Sequence, residues 1–94
     1  MIKSLSCKDT RAIFHNRAVK RFGAIERVAR RKLLMLDAAG SLSDLRRPPG
    51  NRLEALRGSR SGQHSIRIND QFRLCFSWKL NDAHNVEIVD YHTG

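Results

Sequence analysis

Three consecutive residues near the carboxyl end of the chain, Asp90, Tyr91 and His92, place a carboxylate, a phenol and an imidazole side by side. These groups have different working pKa values and can accept or donate protons during catalysis. They follow the apolar residues Val86 and Ile88, in a segment whose composition predicts a strand. In a chain of formal net charge +9, such a cluster points to chemistry on a polyanion, and RNA is the first candidate.

Strand alternation leaves the orientation of this cluster open. In a regular strand, Asp90 and His92 share the core-facing side with Val86 and Ile88, whereas Tyr91 lies on the other side. The two polar side chains would then form a structural hydrogen bond at the strand end. A bulge could instead turn them toward a site.

Arg73 is the second candidate. It lies on the polar face of a predicted strand, and the opposite face of that strand carries Phe72, Leu74 and Phe76. It is either a surface residue or an anion clamp, since its forked guanidinium matches the geometry of phosphate. Arg67 falls on the same polar face of the preceding strand.

A donor-rich turn between Gly58 and Gly62 adds further candidates. Glu54, Arg57 and Arg60 flank this turn, and glycines permit close approach of a backbone. Charged loop residues are usually solvated, but Glu54 is also a candidate second base, and the two arginines are candidate RNA ligands.

Other catalytic classes lack their signatures. The sequence has no Gly-x-Ser-x-Gly, phosphate loop or His-Glu-x-x-His motif, and its nine acidic residues form no metal-binding cluster. Cys7 and Cys75 fit no metal or redox spacing, so we expect reduced thiols, no cofactor and no metal in a cytoplasmic protein. No apolar run is long enough to span a bilayer, and no signal peptide is expected.

Positive charge is concentrated in the first half of the chain. Residues 1–47 hold 12 Lys and Arg against 4 Asp and Glu, whereas residues 48–94 hold 6 against 5. Phosphate contacts of basic side chains position a protein on RNA without selecting sequence. The candidates for docking ribosomal RNA are Arg27, Arg30, Arg31, Lys32, Arg46 and Arg47.

The pattern of apolar residues predicts a single α+β domain over residues 1–94, with two or three N-terminal helices packed on a small, mostly antiparallel sheet. The clearest helix spans 23–39, and Ser41–Asp44 resembles a capping box that begins a short helix. Strands are predicted near 53–56, 64–68, 72–78 and 86–92, with turns at 58–62, 69–70 and 81–85.

Several stretches resemble the HigB toxins of the RelE/ParE superfamily of bacterial type II toxin–antitoxin systems. They are Pro49-Gly50-Asn51-Arg52-Leu53-Glu54-Ala55-Leu56, Gly58 with Arg60, the segment from Gly62 to Phe76, and Val86 to His92. The resemblance implies the RelE-like fold and a metal-independent endoribonuclease that cleaves mRNA in the decoding site of the small ribosomal subunit. Its motif falls on Arg73, Asp90, Tyr91 and His92. Many relatives carry histidine and lysine where this chain has Glu54 and Arg57.

A reaction consistent with these residues is in-line attack by the substrate 2′-hydroxyl on the adjacent phosphate, which leaves a 2′,3′-cyclic phosphate and a 5′-hydroxyl. His92 would handle a proton with Asp90 orienting it, Arg73 would stabilise phosphate charge, and Tyr91 would stack on a base or donate a proton. The implied partner is a HigA-like helix-turn-helix antitoxin, through which the complex would reach operator DNA.

The sequence leaves two other functions open. A ParE-like inhibitor of DNA gyrase would share the fold without needing RNA-cleaving residues. A non-catalytic RNA-binding module would need exposed stacking aromatics, yet the chain has four Phe, one Trp and one Tyr, and three of these six belong to one predicted core face.

Overall fold

The computed structural model describes residues 1–91 and contains, within that range, three α-helices and one four-stranded sheet. The helices are α1 (Lys8–Phe14), α2 (Glu26–Ala38) and α3 (Leu42–Arg46), and 3₁₀ turns span Lys20–Phe22, Pro49–Asn51 and Gly58–Arg60. The strands are β1 (Glu54–Ala55), β2 (Gln63–Arg67), β3 (Phe72–Lys79) and β4 (Asp82–Asp90). Helices followed by a small antiparallel sheet confirm the predicted α+β class.

The sheet is a simple meander in the order β1-β2-β3-β4, with every neighbouring pair antiparallel. The first residues of the chain run beside β4 through two parallel bridges, Ile2 to Ala83 and Leu5 to Val86. A bulge between Cys75 and Ser77 shifts the register of the β3–β4 pair. The short β1 therefore forms one edge of the sheet, close to the loops that follow α3.

The helices pack on one face of the sheet and leave the other face to polar side chains. Ala29, Leu33 and Leu36 of α2 are buried together with Leu74 and Phe76 of β3 in one apolar cluster. Phe22 closes that cluster and packs edge-to-face on Phe72, with 5.6 Å between the ring centroids. Burial of these apolar side chains is the main favourable contribution to folding.

The last hairpin differs from its prediction. The turn lies at Leu80 and Asn81, which both have positive φ (52° and 64°), and Lys79 pairs with Asp82. Two left-handed residues are the requirement of a two-residue type I′ turn, which matches the twist of its strands. The turn expected at 81–85 is therefore wrong, and β4 begins four residues earlier than predicted.

Candidate active site

The polar face of the sheet, here called the outer sheet face, collects most of the residues on which chemistry was predicted. Cross-strand register places four side chains in one row, because Glu54 pairs with Ser65, Ser65 with Cys75, and Cys75 with Glu87. A second row contains Arg67, Arg73 and Val89. The outer sheet face thus carries Glu54, Ser65, Arg67, Arg73, Cys75, Glu87 and Tyr91.

Arg73 is held rigidly on this face. Its Nε donates to Ser65 Oγ at 2.7 Å, and its Nη2 donates to the carbonyl oxygen of Arg52 at 2.6 Å. Ser65 is fully buried, and the side chain of Arg73 is 13% exposed. Hydrogen bonds that involve a charged donor are shorter and stronger than neutral ones. The guanidinium is therefore oriented before any ligand arrives.

Glu54 lies at the end of the guanidinium that the protein leaves open. Its Oε1 is 3.9 Å from Arg73 Nη1, and its side chain is 59% exposed. Within residues 1–91, Nη1 has no hydrogen-bond acceptor, so its two N–H groups remain available to a ligand. A fixed guanidinium and an exposed carboxylate thus lie next to each other at the edge of the sheet.

Tyr91 lies over another part of the outer sheet face, beside Cys75. Its hydroxyl is 3.6 Å from Cys75 Sγ, and its backbone N–H donates to the carbonyl oxygen of Gln71 at 2.6 Å. Partial burial, and then the contact with Cys75, raise the pKa of the Tyr91 phenol. Burial likewise raises the pKa of the Cys75 thiol. Tyr91 therefore remains a neutral hydrogen-bond donor at physiological pH.

Asp90 does not join this group. It pairs with Phe72, which places it on the helix-facing side of β4, and its Oδ2 accepts a hydrogen bond from Gln71 Nε2 at 3.2 Å. Strand alternation therefore separates Asp90 from Tyr91, as a regular strand requires. His92 lies outside the described residues.

The predicted basic ligands near the sheet are partly occupied by acidic neighbours. Arg60 donates to Gln63 at 3.0 Å and lies 3.4 Å from Glu87 Oε1. Arg67 is 2.5 Å from Asp70 Oδ1, and this hydrogen bond lowers the pKa of Asp70. Arg57, which begins the turn after β1, is exposed.

Lys32 corrects the prediction of a basic surface on α2. It is buried, at 8% exposure, and its Nζ donates to Asn51 Oδ1. Burial, followed by the positive charges of Arg31 and Arg67, lowers the pKa of Lys32. Lys32 follows Ala29 by three residues on the core-facing side of the helix, so its assignment to RNA binding is wrong.

The other basic candidates of the helices remain near the surface. Arg27 and Arg31 of α2 are exposed, as are Arg46 and Arg47 at the end of α3. Arg30 is partly buried, because its Nε donates to the carbonyl oxygen of Ile13 at 3.1 Å and its Nη1 lies 3.7 Å from Glu26.

Ser65 is the site residue that the sequence did not reveal. Its hydroxyl matters only because β2 and β3 pair in a register that brings it under the guanidinium of Arg73. The alternation of residues 64–68 places Ser65 on the polar face, which was the available signal. The carbonyl of Arg52 is harder to foresee, since it depends on a left-handed backbone conformation with φ 45°.

In residues 1–91, no group of three or more His, Cys, Asp or Glu side chains is arranged to hold a metal ion. No helix there is long and apolar enough to cross a membrane.

Known structures share this architecture. The chain superimposes on two structures of the YoeB–YefM toxin–antitoxin complex from Staphylococcus aureus, with TM-scores of 0.56 and 0.57, at 20% identity and 98% coverage of both chains. At this identity the likeness shows the fold alone.

The family follows from the sequence itself. Residues 13–92 match the model of the HigB-like toxins, described as RelE-like toxins of type II toxin–antitoxin systems. The chain belongs to this family, as the resemblance in its sequence predicted.

Two relatives illustrate the range of the family. Toxin HigB-1 of Vibrio cholerae serotype O1 is 56% identical over 55 residues, which are 58% of this chain and 58% of that protein. An uncharacterised protein of Haemophilus influenzae is 40% identical over 67 residues, which are 71% of this chain and 65% of its own length. The matched segments thus span about three fifths of these relatives.

Proposed function

We propose that this type II toxin is a ribosome-dependent endoribonuclease that cleaves mRNA in the decoding site of the small ribosomal subunit. The observation that carries the proposal is the pairing of Arg73 with Glu54 on the outer sheet face. Among the described residues, Arg73 Nη1 has no hydrogen-bond acceptor, and it lies 3.9 Å from the exposed carboxylate of Glu54. A phosphate can accept hydrogen bonds from that nitrogen while the carboxylate reaches the neighbouring ribose.

The proposed reaction is an in-line displacement on phosphorus. Glu54 accepts the proton of the 2′-hydroxyl, whose oxygen forms a bond to the adjacent phosphorus. The bond from phosphorus to the 5′-oxygen breaks, and that oxygen takes a proton from the imidazolium of His92. The products are a 2′,3′-cyclic phosphate and a 5′-hydroxyl.

Arg73 contributes by electrostatic stabilisation. Negative charge grows on the non-bridging oxygens as phosphorus becomes five-coordinate, and a donor fixed beforehand stabilises it without reorganisation. The bonds from Nε and Nη2 to Ser65 and Arg52 supply that fixation. Tyr91, as a neutral and partly exposed phenol, stacks on a base beside the scissile phosphate.

Binding to the ribosome is assigned to the exposed arginines of the helices. Arg27, Arg31, Arg46 and Arg47 are exposed in a chain of net charge +9, and such charges contact phosphates. Cleavage should therefore weaken as salt concentration rises. The protein acts in the cytoplasm, where ribosomes are.

The proposed partner that restrains the toxin is an antitoxin of the HigA-like helix-turn-helix class. Membership of a toxin–antitoxin family supports this assignment, and the structures that share the fold are complexes of a toxin, YoeB, with an antitoxin, YefM. Through the antitoxin, the complex would bind operator DNA.

The proposal is tested by inducing the toxin in bacteria and mapping the 5′ ends of mRNA, with His92→Ala as the active-site variant. His15→Ala serves as the matched control, because it removes an exposed histidine from the end of α1. We expect new 5′ ends inside translated frames for the wild type and the control, and none for His92→Ala. Growth arrest with no new mRNA ends, together with inhibition of DNA supercoiling, would contradict the proposal and favour a gyrase inhibitor.

A further inference from the structure

A second pocket lies on the helix-facing side of the sheet edge, behind β1. It has a volume of about 270 Å³. Its wall combines basic, imidazole and apolar side chains, which are Arg46, Pro49, Arg52, Leu53, Ala55 and His64. None of the acidic residues that the structure describes lines it. Pockets that bind small organic groups combine an apolar wall with a few polar groups in this way.

The two arginines of this pocket form no close ion pair among the described residues, although Arg52 interacts with Asp70 at longer range. Arg60, Arg67 and Arg73 each lie within 4.0 Å of a carboxylate oxygen. Within residues 1–91, neither Arg46 nor Arg52 has such a partner or a side-chain hydrogen bond. Two guanidinium groups that share a pocket wall without an acid favour an anionic ligand, because a forked guanidinium matches a phosphate.

His64 places an imidazole ring in the pocket wall. Its ring stacks on Phe76 with 6.3 Å between centroids and 22° between planes. Its Nδ1 is buried and, among the described residues, has no hydrogen-bond partner. Because Nδ1 is buried, a ligand in the pocket would meet another part of the His64 ring.

The pocket and the proposed catalytic face meet at β1. Arg52 lines the pocket with its side chain, while its carbonyl oxygen accepts the 2.6 Å hydrogen bond from Arg73. The two residues of β1 also face different sites: Glu54 belongs to the outer sheet face, and Ala55 lines the pocket. The pair of Ala55 and His64 on the pocket side thus lies directly beside the pair of Glu54 and Ser65 on the outer sheet face.

We propose that this pocket is a second nucleotide subsite, which holds an RNA nucleotide next to the scissile phosphodiester. Its phosphate lies between Arg46 and Arg52, its base packs against Pro49 and Leu53, and His64 contacts the edge of that base. The inference rests on the proposed function for its choice of RNA, since the strand bound at Glu54 and Arg73 only has to cross β1 to reach the pocket.

The subsite is tested with adenosine 5′-monophosphate as the probe, by amide chemical shifts of the whole toxin. The variants are Arg46→Ala and Arg52→Asn, the latter because asparagine tolerates the positive φ at position 52. Arg17→Ala is the control, since it removes one exposed positive charge far along the chain from the pocket. We expect shifts at Leu53, Ala55 and His64, and affinity weaker by about tenfold or more in either pocket variant but not in the control.

Several outcomes decide the inference. Absence of shifts at the pocket, or equal affinity in all three variants, would overturn it. Inorganic phosphate that binds as tightly as the nucleotide would also overturn it, because the base would then contribute nothing. Unchanged unfolding transitions would establish that the variants are folded. Since nucleotide binding requires no cleavage, wild-type protein that binds the probe but never cuts mRNA would refute the proposed function and leave the subsite standing.

Discussion

Substitution of Ser65 by alanine tests whether the rigidity of Arg73 matters for cleavage. The hydroxyl is buried and accepts the 2.7 Å hydrogen bond from Arg73 Nε. Alanine removes this acceptor and changes no charge. Arg73 retains its bond to the carbonyl of Arg52 and its proximity to Glu54, so the guanidinium stays in the site but gains freedom to rotate.

The expected magnitude follows from the type of bond that is lost. A hydrogen bond to a charged group contributes about 1.5–3 kcal/mol, and loss of about 1.4 kcal/mol in the transition state slows a reaction about tenfold. Because one of the two anchoring bonds of Arg73 survives, we expect the lower end of this range. Ser65→Ala should therefore lower kcat about tenfold, with KM little changed.

The assay is single-turnover cleavage of mRNA on purified, programmed ribosomes. Ser77→Ala is the matched control, because Ser77 lies in the same strand four residues from Arg73 and, among the described residues, is not one of its hydrogen-bond partners. The control should keep wild-type kcat. Equal rates for Ser65→Ala and the control would refute the view that Arg73 works as a fixed donor. A loss confined to KM would assign Ser65 to binding instead of positioning.

Three further substitutions separate chemistry from stability. Glu54→Gln keeps the shape of the side chain but removes the base, so cleavage should fall by about 10²–10⁴ with an unchanged unfolding transition; wild-type cleavage would remove Glu54 from the mechanism. Arg73→Lys keeps one positive charge but loses the fork, so cleavage should fall by about 10²–10³, and a loss of less than about threefold would contradict the clamp. Thr10→Val removes the buried Oγ1 that accepts the Ile88 N–H at 3.0 Å, and should cost about 1–3 kcal/mol in urea unfolding at unchanged slope. An unchanged urea midpoint would show that this hydrogen bond contributes nothing.

The order and type of the main elements could be predicted from hydrophobic periodicity, since the spacing of Ala29, Leu33 and Leu36 marks a helix and that of Phe72, Leu74 and Phe76 marks a strand. Details of turns could not. The hairpin at Leu80 depends on a leucine that adopts φ 52°, which leucine rarely does on its own. Strand pairing imposes that conformation, and no local sequence signal reveals it.

Part of the candidate site could also be predicted from the sequence pattern. Strand alternation predicts that Asp90 and Tyr91 point to opposite faces, and Arg73 was recognised as a possible clamp. The position of Glu54 next to Arg73 depends on the order of strands, because β1 and β3 are joined only through β2. Lys32 was predicted to lie on the surface because its side chain is charged. Its spacing of three residues from Ala29, however, places it on the core-facing side of α2.

The most direct test of the central claim is the product chemistry of purified toxin acting on mRNA, with and without ribosomes, for the wild type and for Arg73→Ala. If Arg73 and Glu54 on the outer sheet face catalyse the reaction, the wild type cleaves mRNA on programmed ribosomes. One fragment then carries a 2′,3′-cyclic phosphate and the other a 5′-hydroxyl. Arg73→Ala should abolish that product. Cleavage that persists in the variant, or fragments that carry a 5′-phosphate, would contradict the claim that Arg73 and Glu54 form the catalytic site.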